Sequence, residues 1–418
     1  MHKVAVPSHI AAVVKRVQDH GHSCYVVGGP VRDSVLGRPV KDWDLATSAT
    51  LAEMARIYPG HAGQTRYGTT LVRAGSETVE VTTFRTEAEY TDHRRPDVVE
   101  FTSDIGVDLS RRDFTMNAMA YDPVSGRMVD PFGGMADIAA RRIRAVGLAS
   151  ERFGEDALRM LRAVRFSAQI GFPIERETFE AIKRAAPTAR HLARERVGGE
   201  LAKMLAAPYA PAGFEAMADA GLFEPSLGVV AERGVRHGIR LMAALREPDA
   251  IGRAAALLHH ADGLSARGVS GFSSQDAYGL LLSVGVGDDA AESVSWRIEV
   301  ATAALPQGDA ALARAMGRHG PDLFLWALGL RRACAADSRS GTREVDAAMA
   351  GAAAYLASGR PVALRQLALN GDDLVAAGIK PGPAMGRLLD ALFDEVASRE
   401  TRNEREALLG RARALSAP

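Results

Sequence analysis

The strongest constraint on the fold is a change in the sequence near residue 150. Before it, short β-rich runs such as "CYVVGG", "TTLVRA", "TVEVTTF", "DVVEFT" and "AMAYDP" alternate with turns, a pattern typical of strands. After "LASERFGEDALRMLRAVRFSAQIGF", Ala, Leu, Arg and Glu recur at helical spacing through nearly all of the remaining chain. The sequence therefore predicts an α+β domain, with a mixed sheet and helices, followed by an all-helical part.

The chain is too long for one ordinary domain, because it has 418 residues. Loop patterns such as "AAPYAPAG" and "LASGRPVA" divide the helical part into segments. We predict a head over residues 1–149, a helical neck over 150–225, a helical body over 226–350 and a helical tail over 351–418.

Composition narrows the classes of protein to consider. The chain is 47% hydrophobic and 24% charged, and no apolar run approaches the about 20 residues that a membrane span requires. The two cysteines, Cys24 and Cys334, lack metal-ligand spacing and suit a reducing cytoplasm. Because 51 basic residues balance 51 acidic ones, any nucleic-acid partner must be bound by local basic patches.

The stretch "GGPVRDSVLGRPVKDWDLAT" contains the first candidate chemistry. As a dinucleotide-binding loop it is incomplete, since the third glycine of G-x-G-x-x-G is missing. In "KDWDLAT", Asp42 and Asp44 alternate across a run that we interpret as a strand, which would place both carboxylates on one face. Two such carboxylates suit a Mg²⁺ site that faces a triphosphate. An exposed strand or turn that contains D-x-D by chance is the alternative.

Neighbouring residues favour the phosphate interpretation. Without a Cβ at Gly28 or Gly29, backbone N–H groups can approach phosphate oxygens, and Arg32 adds charge about one helical turn later. A third acidic group is expected on a neighbouring strand. Glu80 in "TVEVTTFR" is the best candidate, although it fits an ordinary strand position equally well. Asp113 in "RRDFTMNA" competes for this role, or it orients the preceding arginine.

A further helix is predicted at "EDALRMLRAVRF", where charged residues recur at a spacing of three. This spacing would cluster them on one helical face, and a solvated face is the ordinary explanation of such a run. Phe166 is expected to serve the core. The residues with this spacing are Asp156, Arg159, Arg162 and Arg165.

In this order, the motifs resemble the class II tRNA nucleotidyltransferase (CCA-adding enzyme) and bacterial poly(A) polymerase family. The resemblance covers about residues 24–225 and rests on "GGPVRD", "DWDLAT", "VTTFRTEAEY", "RRPDVVEFT", "RRDFTMNAMAYDP", "DPFGG", "EDALRMLRAVRF" and "ERVGGELAKML". It implies a polymerase-β-like head in which Asp42 and Asp44 bind the catalytic Mg²⁺ ions. One metal would activate the terminal ribose hydroxyl and the other would neutralise the leaving pyrophosphate.

The resemblance also implies contacts to the nucleotide from the head. Gly29 and Arg32 would touch the incoming triphosphate. Arg112 corresponds to a nucleotide-contacting arginine of the family, and Asp113 and Asn117 belong to the motif associated with ribose recognition. Exposed arginines at a helix start, with Asp113 as a cap, are the alternative.

The resemblance also implies that residues of the predicted helix select the base of the nucleotide. In this family a protein template replaces a nucleic-acid one, and Asp156 and Arg159 match the carboxylate and arginine that hydrogen-bond the base edge of CTP or ATP. Such a pair would reject guanine and uracil through unpaired groups. Arg162 and Arg165 would lie on the same wall, near the triphosphate.

Two further segments resemble parts of the family. "RTEAEYTDHRRPD" corresponds to a flexible loop of the family that helps to switch from CTP to ATP, and its presence favours complete CCA synthesis. An ordinary exposed hairpin is the alternative. "RAAALLHHADG" looks like a degenerate His-Asp metal motif, for which His259 and His260 as ordinary helical histidines are the preferred interpretation.

The segment "LALNGDDLVAAGIKPGPAMGRLLDALFDEV" resembles the family's tail. Lys380 and Gly382 lie in a Gly/Pro turn before an amphipathic helix, whose free N–H groups could hold a tRNA phosphate. A plain helix cap is the alternative.

The expected function is CCA-adding tRNA nucleotidyl transfer, in which CTP and ATP extend the tRNA 3′ end without a template. An enzyme that adds only A, or a poly(A) polymerase, is the alternative within the family, and a non-catalytic RNA-binding protein is the alternative outside it. The neutral charge of the chain favours tRNA over generic RNA, because phosphate binding follows the number of Lys and Arg residues.

Overall fold

The computed structural model describes residues 4–59, 63–64, 68–88, 98–228, 232–245, 249–259, 273–337, 339 and 341–416. The chain divides into two compact units, Met1–Val229 and Val230–Pro418. Among the described residues, no helix has the length and apolar character to cross a membrane. The finer division into head, neck, body and tail stays a prediction.

A seven-stranded mixed sheet lies in the first unit. The strands of this unit are β1 (Cys24–Val27), β2 (Asp44–Thr47), β3 (Gly63–Gln64), β4 (Thr69–Ala74), β5 (Glu77–Thr83), β6 (Arg85–Ala88), β7 (Val98–Phe101), β8 (Ala120–Asp122) and β9 (Arg127–Val129). The order in the sheet is β3-β4-β5-β2-β1-β8-β9, and β6 and β7 form a separate antiparallel pair. Within the sheet, β2 and β5 pair in parallel and the other neighbours are antiparallel.

Helices pack against this sheet, and after β9 the described residues of the unit contain helices and no further strand. They are α1 (Ser8–Asp19), α2 (Gly29–Val35), α3 (Leu51–Ile57), α4 (Ile105–Ser110), α5 (Gly134–Ala139), α6 (Ala149–Glu155), α7 (Leu158–Ile170), α8 (Arg176–Ala185), α9 (Arg194–Leu205), α10 (Ala210–Asp219) and α11 (Phe223–Leu227). Short 3₁₀ turns occur at Thr115–Asn117 and Ala186–His191.

The α7 helix packs against three other helices of the first unit, α6, α9 and α10. Nearly all of its residues are buried, and it ends at Gly171, which adopts the left-handed conformation that favours glycine. On one side it packs closely against α10, since a Cβ at Gly213 would lie 2.5 Å from the Cβ of Ala168. On another side it contacts α9. This packing fixes α7 as a rigid support for the side chains that it presents.

The second unit contains only helices among its described residues. They are α12 (Glu232–Ala244), α13 (Ala250–Leu258), α14 (Ser274–Ser283), α15 (Asp288–Thr302), α16 (Asp309–His319), α17 (Pro321–Asp337), α18 (Arg343–Ala357), α19 (Gly371–Ala376), α20 (Pro383–Ala397) and α21 (Arg405–Ser416). The α+β class, with a mixed sheet followed by helices, is confirmed. The change in periodicity near residue 150 was a sound guide, because a sheet and a helical bundle require different spacings of apolar residues.

Candidate active site

A cavity of roughly 650 Å³ opens in the first unit and is lined mainly by charged side chains. Its basic lining residues are Arg32, Arg111, Arg112, Arg159, Arg162, Arg165, Arg196 and Lys203, and its acidic ones are Asp42, Asp44, Asp113 and Asp156. Gly28, Gly29, Asn117, Leu158 and Phe166 complete the lining. Thus the predicted metal, phosphate, ribose and base residues of the head and neck meet at one cavity, with Glu80 as the exception.

The predicted metal ligands lie at the start of β2. Asp44 is the first residue of the strand, and its register partner on β5 is Glu80. Asp42 lies two residues earlier in a bend, so the interpretation of "DWDLAT" as one strand is wrong at this position, because pairing with β5 begins only at Asp44. Both aspartates nevertheless line the cavity.

Electrostatics of the aspartate pair suit a cation. Burial raises the pKa of Asp44, Arg112 lowers it, and the negative charges of Glu80 and Asp42 raise it again. Within the described part of the chain, neither aspartate side chain has a hydrogen bond or an ion pair. Two adjacent carboxylates without such partners are a donor set for a hard divalent cation. No group of three or more His, Cys, Asp or Glu residues within the described ranges could hold a metal. A cation here would therefore rest on the two aspartates and on non-protein oxygens.

Gly28 permits the close approach of an arginine to the turn that is predicted to bind phosphate. It precedes α2 with φ of 74°, and a Cβ there would lie 2.6 Å from Nη1 of Arg112. The Arg112 guanidinium donates to the backbone oxygen of Asn117 at 3.5 Å and to the buried carboxylate of Asp108 at 3.4 Å. Burial lowers the pKa of Arg112, and Asp108 and Asp44 oppose this effect. The Arg112 side chain can therefore occupy this position only because residue 28 has no Cβ.

A chain of hydrogen bonds connects the predicted triphosphate and ribose residues. Arg32 donates from Nη1 to the side-chain oxygen of Asn117 at 2.7 Å, and Asn117 donates to Oδ1 of Asp113 at 3.0 Å. The other carboxylate oxygen of Asp113 accepts from Nε of Arg162 at 2.7 Å. Two arginines that come from α2 and α7 are therefore held by one network.

Asp113 is the buried anion of this network. Burial raises its pKa, but the charge of Arg162, hydrogen bonds from Asn117 and Arg162, and the charge of Arg159 outweigh burial and lower the pKa to about 2. The suggestion that Asp113 orients the preceding arginine is wrong, because its ion-pair partner is Arg162. No local sequence pattern could predict this pairing, since the two residues are 49 positions apart.

The predicted helix at "EDALR" begins later than expected. Asp156 has extended backbone angles at the end of α6, and α7 begins at Leu158, so Asp156 does not share a helical face with the arginines. One carboxylate oxygen of Asp156 accepts from the Leu158 N–H at 3.0 Å, and the other accepts from Arg196 at 2.7 Å. These contacts hold the carboxylate at the cavity, where Arg159 also lies.

The first and last arginines of α7 that line the cavity are buried and paired. Arg159 donates to Glu155 at 2.5 Å and to the backbone oxygen of Arg111 at 3.0 Å. Arg165 forms an ion pair with Glu200 of α9. Burial lowers the pKa of Arg165, and Glu200 opposes this effect. Both guanidiniums are thus fixed in orientation before any ligand binds.

Sequence reasoning missed five cavity residues, which are Arg111, Leu158, Phe166, Arg196 and Lys203. Phe166 was assigned to the core, and it is buried, yet its ring also borders the cavity. Arg196 and Lys203 lie seven positions apart on α9, a spacing that places them on one helical face. That spacing was visible in "ERVGGELAKML", but nothing in the sequence showed which face met the cavity.

Several predicted residues lie elsewhere. Lys380, which is exposed, and Gly382, with φ of 149°, precede α20 in the second unit, and their role in RNA binding stays a prediction. Residues 89–97 of the "RTEAEYTDHRRPD" loop and His260 are outside the described residues. His259 is buried, with its ring 3.6 Å from the Cys334 sulfur.

Three family models match this chain. The Poly A polymerase head domain matches residues 24–144, a model described as "Probable RNA and SrmB- binding site of polymerase A" matches 171–231, and tRNA nucleotidyltransferase domain 2 matches 361–412.

Similar proteins cover nearly the whole length. A CCA-adding enzyme of Geobacillus kaustophilus is 35% identical over 412 residues, which are 95% of this chain and 94% of the relative. One of Geobacillus stearothermophilus is 35% identical over 411 residues, with the same coverage of both chains.

Solved structures agree in fold. The crystal structure of the Bacillus stearothermophilus CCA-adding enzyme in complex with CTP is 32% identical, has a TM-score of 0.76 and covers 97% of this chain and 96% of that one. A Thermotoga maritima CCA-adding enzyme complexed with tRNA has a TM-score of 0.70 at 19% identity, covers 99% of this chain and 97% of that one, and supports the fold alone.

Proposed function

Because the chain belongs to the family of CCA-adding enzymes, we propose that its cavity is the site at which C, C and A are added to the tRNA 3′ end. It is a nucleotidyltransferase whose substrates are tRNA, CTP and ATP. The observation that carries the site assignment is the position of the Asp42 and Asp44 carboxylates in one cavity with a wall of arginines. Such a cavity has separate places for a cation, for phosphates and for a base.

Nucleotidyl transfer of this kind depends on a divalent cation, and we propose that it is Mg²⁺ held by Asp42 and Asp44. Glu80 would add negative charge from the neighbouring strand, since it is the register partner of Asp44. When bound, the cation supplies charge neutralisation at the phosphates and makes the ribose hydroxyl a better nucleophile. The two aspartates, whose side chains form no hydrogen bond or ion pair among the described residues, have the oxygen donors that Mg²⁺ prefers.

The arginines bind and orient the triphosphate in this proposal. Arg32 approaches from α2, Arg112 from the segment after α4, which lies against the turn at Gly28, and Arg162 from α7. Phosphate oxygens accept well-directed hydrogen bonds from guanidinium groups. The network through Asn117 and Asp113 keeps Arg32 and Arg162 in place before the nucleotide arrives, which reduces the entropy that binding would otherwise cost.

Asp156 and Arg159 select the base in this proposal. Each oxygen of Asp156 has one protein donor, so lone pairs remain for the exocyclic amine that cytosine and adenine share. Arg159 uses Nη1 and Nη2 for protein contacts, and among the described contacts its Nε has no acceptor, which leaves a donor for a ring nitrogen or carbonyl. Guanine and uracil present the opposite pattern at this edge, so they would leave Asp156 unpaired.

The proposal also covers the tRNA contacts of the tail, the division into domains and the location in the cell. Lys380 and Gly382 would contact the tRNA from the tail, because Lys380 is exposed and the fifteen-residue helix α20 begins directly after the turn. The predicted division into head, neck, body and tail follows the order of the matching family models. A cytoplasmic location accords with the two free cysteines, which are both buried.

One assay tests the function. Purified protein and Mg²⁺ are incubated with tRNA transcripts that end before CCA, after C or after CC, and each nucleoside triphosphate is supplied singly and in pairs. We expect CTP to extend the first two transcripts and ATP to extend the third. Incorporation of ATP alone, and only onto the CC-ended transcript, would instead identify an A-adding enzyme. Long A tails on unrelated RNA would identify a poly(A) polymerase.

A further inference from the structure

Phe166 is an aromatic residue in the wall of a cavity that is otherwise strongly polar. It lies on α7, directly after Arg165 and four residues after Arg162, and it is 4% exposed. Its ring packs edge-on against Phe114, with ring centroids 5.8 Å apart and an interplanar angle of 85°. Phe114 follows Asp113 in the chain. The Phe166 ring therefore connects α7 to the segment that carries the buried carboxylate of Asp113. This contact leaves the ring little freedom to move.

Three guanidinium groups surround this single ring. The central carbon of Arg165 lies 3.8 Å from the ring centroid, that of Arg32 lies 4.9 Å away, and that of Arg162 lies 5.4 Å away. All three distances are within the about 6 Å range in which an arginine is attracted to the negative face of an aromatic ring. The arginines come from two separate helices, α2 and α7, and all three lie against the same ring.

Three guanidinium groups this close together repel one another, and nearby negative charge must offset the repulsion. Burial lowers the pKa of Arg165, Glu200 raises it, and the charge of Arg162 lowers it again, so the neighbouring arginines repel each other. Acidic or amide side chains meet the edges of all three guanidiniums: Asp33 and Asn117 at Arg32, Asp113 at Arg162, and Glu200 and Gln169 at Arg165. These partners leave the guanidinium faces to be covered. An aliphatic side chain would fill the same space but would offer no negative face to the charges.

We propose that Phe166 is a positioning residue for nucleotide binding, because its ring holds Arg32, Arg162 and Arg165 in the orientation that meets the triphosphate. This inference rests on the proposed function and extends it to a residue that has no polar group. The nucleotide phosphates then encounter a preassembled set of donors. Without the ring, the three guanidiniums would keep the polar partners at their edges but lose the surface that covers their faces. The nucleotide would then have to complete their ordering, and affinity would fall.

Two substitutions at Phe166 distinguish the effect of the aromatic face from the effect of filling the same space. Phe166→Leu keeps an apolar side chain but removes the π face, and Phe166→Tyr keeps the face. Phe172 is the matched control, since it is also 4% exposed and has one guanidinium, that of Arg141, 5.1 Å from its ring centroid. Phe172 is outside the lining of the cavity, so Phe172→Leu removes a similar contact elsewhere.

The test measures the dissociation constant of CTP and of ATP by direct binding, together with KM and kcat for addition to tRNA and the melting temperature of each variant. For Phe166→Leu we expect both dissociation constants and both KM values to rise about tenfold, as loss of one or two desolvated cation–π contacts implies. Phe166→Tyr should stay within about threefold of the wild type. Phe172→Leu should lower the melting temperature without a change in KM.

A purely structural role would reduce the folded fraction, and hence apparent kcat, while it left nucleotide affinity unchanged. The proposal is overturned if folded Phe166→Leu binds both nucleotides like the wild type, or if Phe166→Tyr is impaired as severely as Phe166→Leu. If Phe166→Leu does not fold, the Tyr variant still decides, because normal affinity supports the ring and a tenfold loss contradicts it. Failure of the proposed function would be seen separately, as wild-type protein that binds CTP and ATP but does not extend tRNA.

Discussion

Arg162 contacts one carboxylate oxygen of Asp113 through both Nε, at 2.7 Å, and Nη2, at 2.6 Å. The pair connects α7 to the segment after α4, and Asp113 also accepts from Asn117, which in turn accepts from Arg32. One buried anion thus orders arginines that belong to two helices. Its removal should affect both the stability of the first unit and the shape of the cavity.

Asp113→Asn should lower the free energy of unfolding at neutral pH by about 2 kcal/mol, because Arg162 would lose a largely buried charge partner. The same substitution in an exposed pair is the control. Lys15 and Asp19 lie 2.8 Å apart with more than half of each side chain exposed, so Asp19→Asn should cost less than about 0.5 kcal/mol. Urea unfolding of the three proteins measures the difference. Equal destabilisation by the two substitutions would show that burial of Asp113 adds nothing.

The effect of Asp113 on stability should depend on pH in a defined direction. Its pKa is about 2 in the folded protein, below the ordinary value of 3.8, so the folded state favours the charged carboxylate. The stabilisation is therefore complete above pH 3.8 and is lost as the pH falls through the folded pKa. The difference in unfolding free energy between wild type and Asp113→Asn should shrink between about pH 4 and about pH 2. A constant difference across this range would contradict the assigned pKa.

Gly28→Ala should inactivate the protein more than its effect on stability explains. Its φ of 74° is unfavourable for alanine, and the new Cβ would lie 2.6 Å from Nη1 of Arg112, which would have to move. Gly37 has φ of 67°, and a Cβ there would have no neighbouring atom within 4 Å, so Gly37→Ala introduces the strain alone. Both variants should lose about 1 kcal/mol of stability. Only Gly28→Ala should lower kcat/KM for CTP, by about tenfold or more. Equal activity in the two variants would argue against a role for Arg112.

Arg196→Ala should relax base selection. Arg196 donates to Oδ2 of Asp156 at 2.7 Å, so its removal would allow the carboxylate to turn away from the base edge. The control is Arg194→Ala on the same helix, since Arg194 donates instead to the backbone oxygen of Ser226 at 2.9 Å. The ratio of UTP to CTP incorporation should rise about tenfold in Arg196→Ala and stay constant in Arg194→Ala. An unchanged ratio in both would mean that Asp156 does not read the base, or needs no support to do so.

Local patterns predicted most of the elements and most of the residues at the cavity. The strands at "CYVVGG", "TTLVRA", "TVEVTTF" and "AMAYDP" and the helical remainder follow from periodicity and turn residues, which are properties of neighbouring positions. The parallel pairing of β2 with β5 is different, because it brings Asp44 beside Glu80 through a long connection that no local pattern specifies. Strand order therefore had to come from the structure.

The errors at the site have a common physical origin. Asp42 and Asp156 were assigned to regular elements, but each lies just before one, where backbone pairing has not yet begun. Phe166 was assigned to the core because an aromatic residue on a helix is usually buried. Burial alone does not distinguish a ring packed on leucines from one packed on three guanidiniums. Two of these guanidiniums belong to α7 itself, and the third is that of Arg32 on α2, which no local pattern places beside Phe166.

The most direct test of the proposed active site is extension of a tRNA transcript that ends before CCA, by wild type and by Asp44→Asn, with CTP, ATP and Mg²⁺ present. Asp44→Asn keeps the size of the side chain but removes one charge of the pair that lines the cavity. The surface variant Asp19→Asn controls for the substitution. We predict that wild type and Asp19→Asn add C, C and A, and that Asp44→Asn is slower by about a hundredfold or more while it still binds tRNA. Extension by Asp44→Asn at the wild-type rate would contradict the assignment of this cavity as the catalytic site.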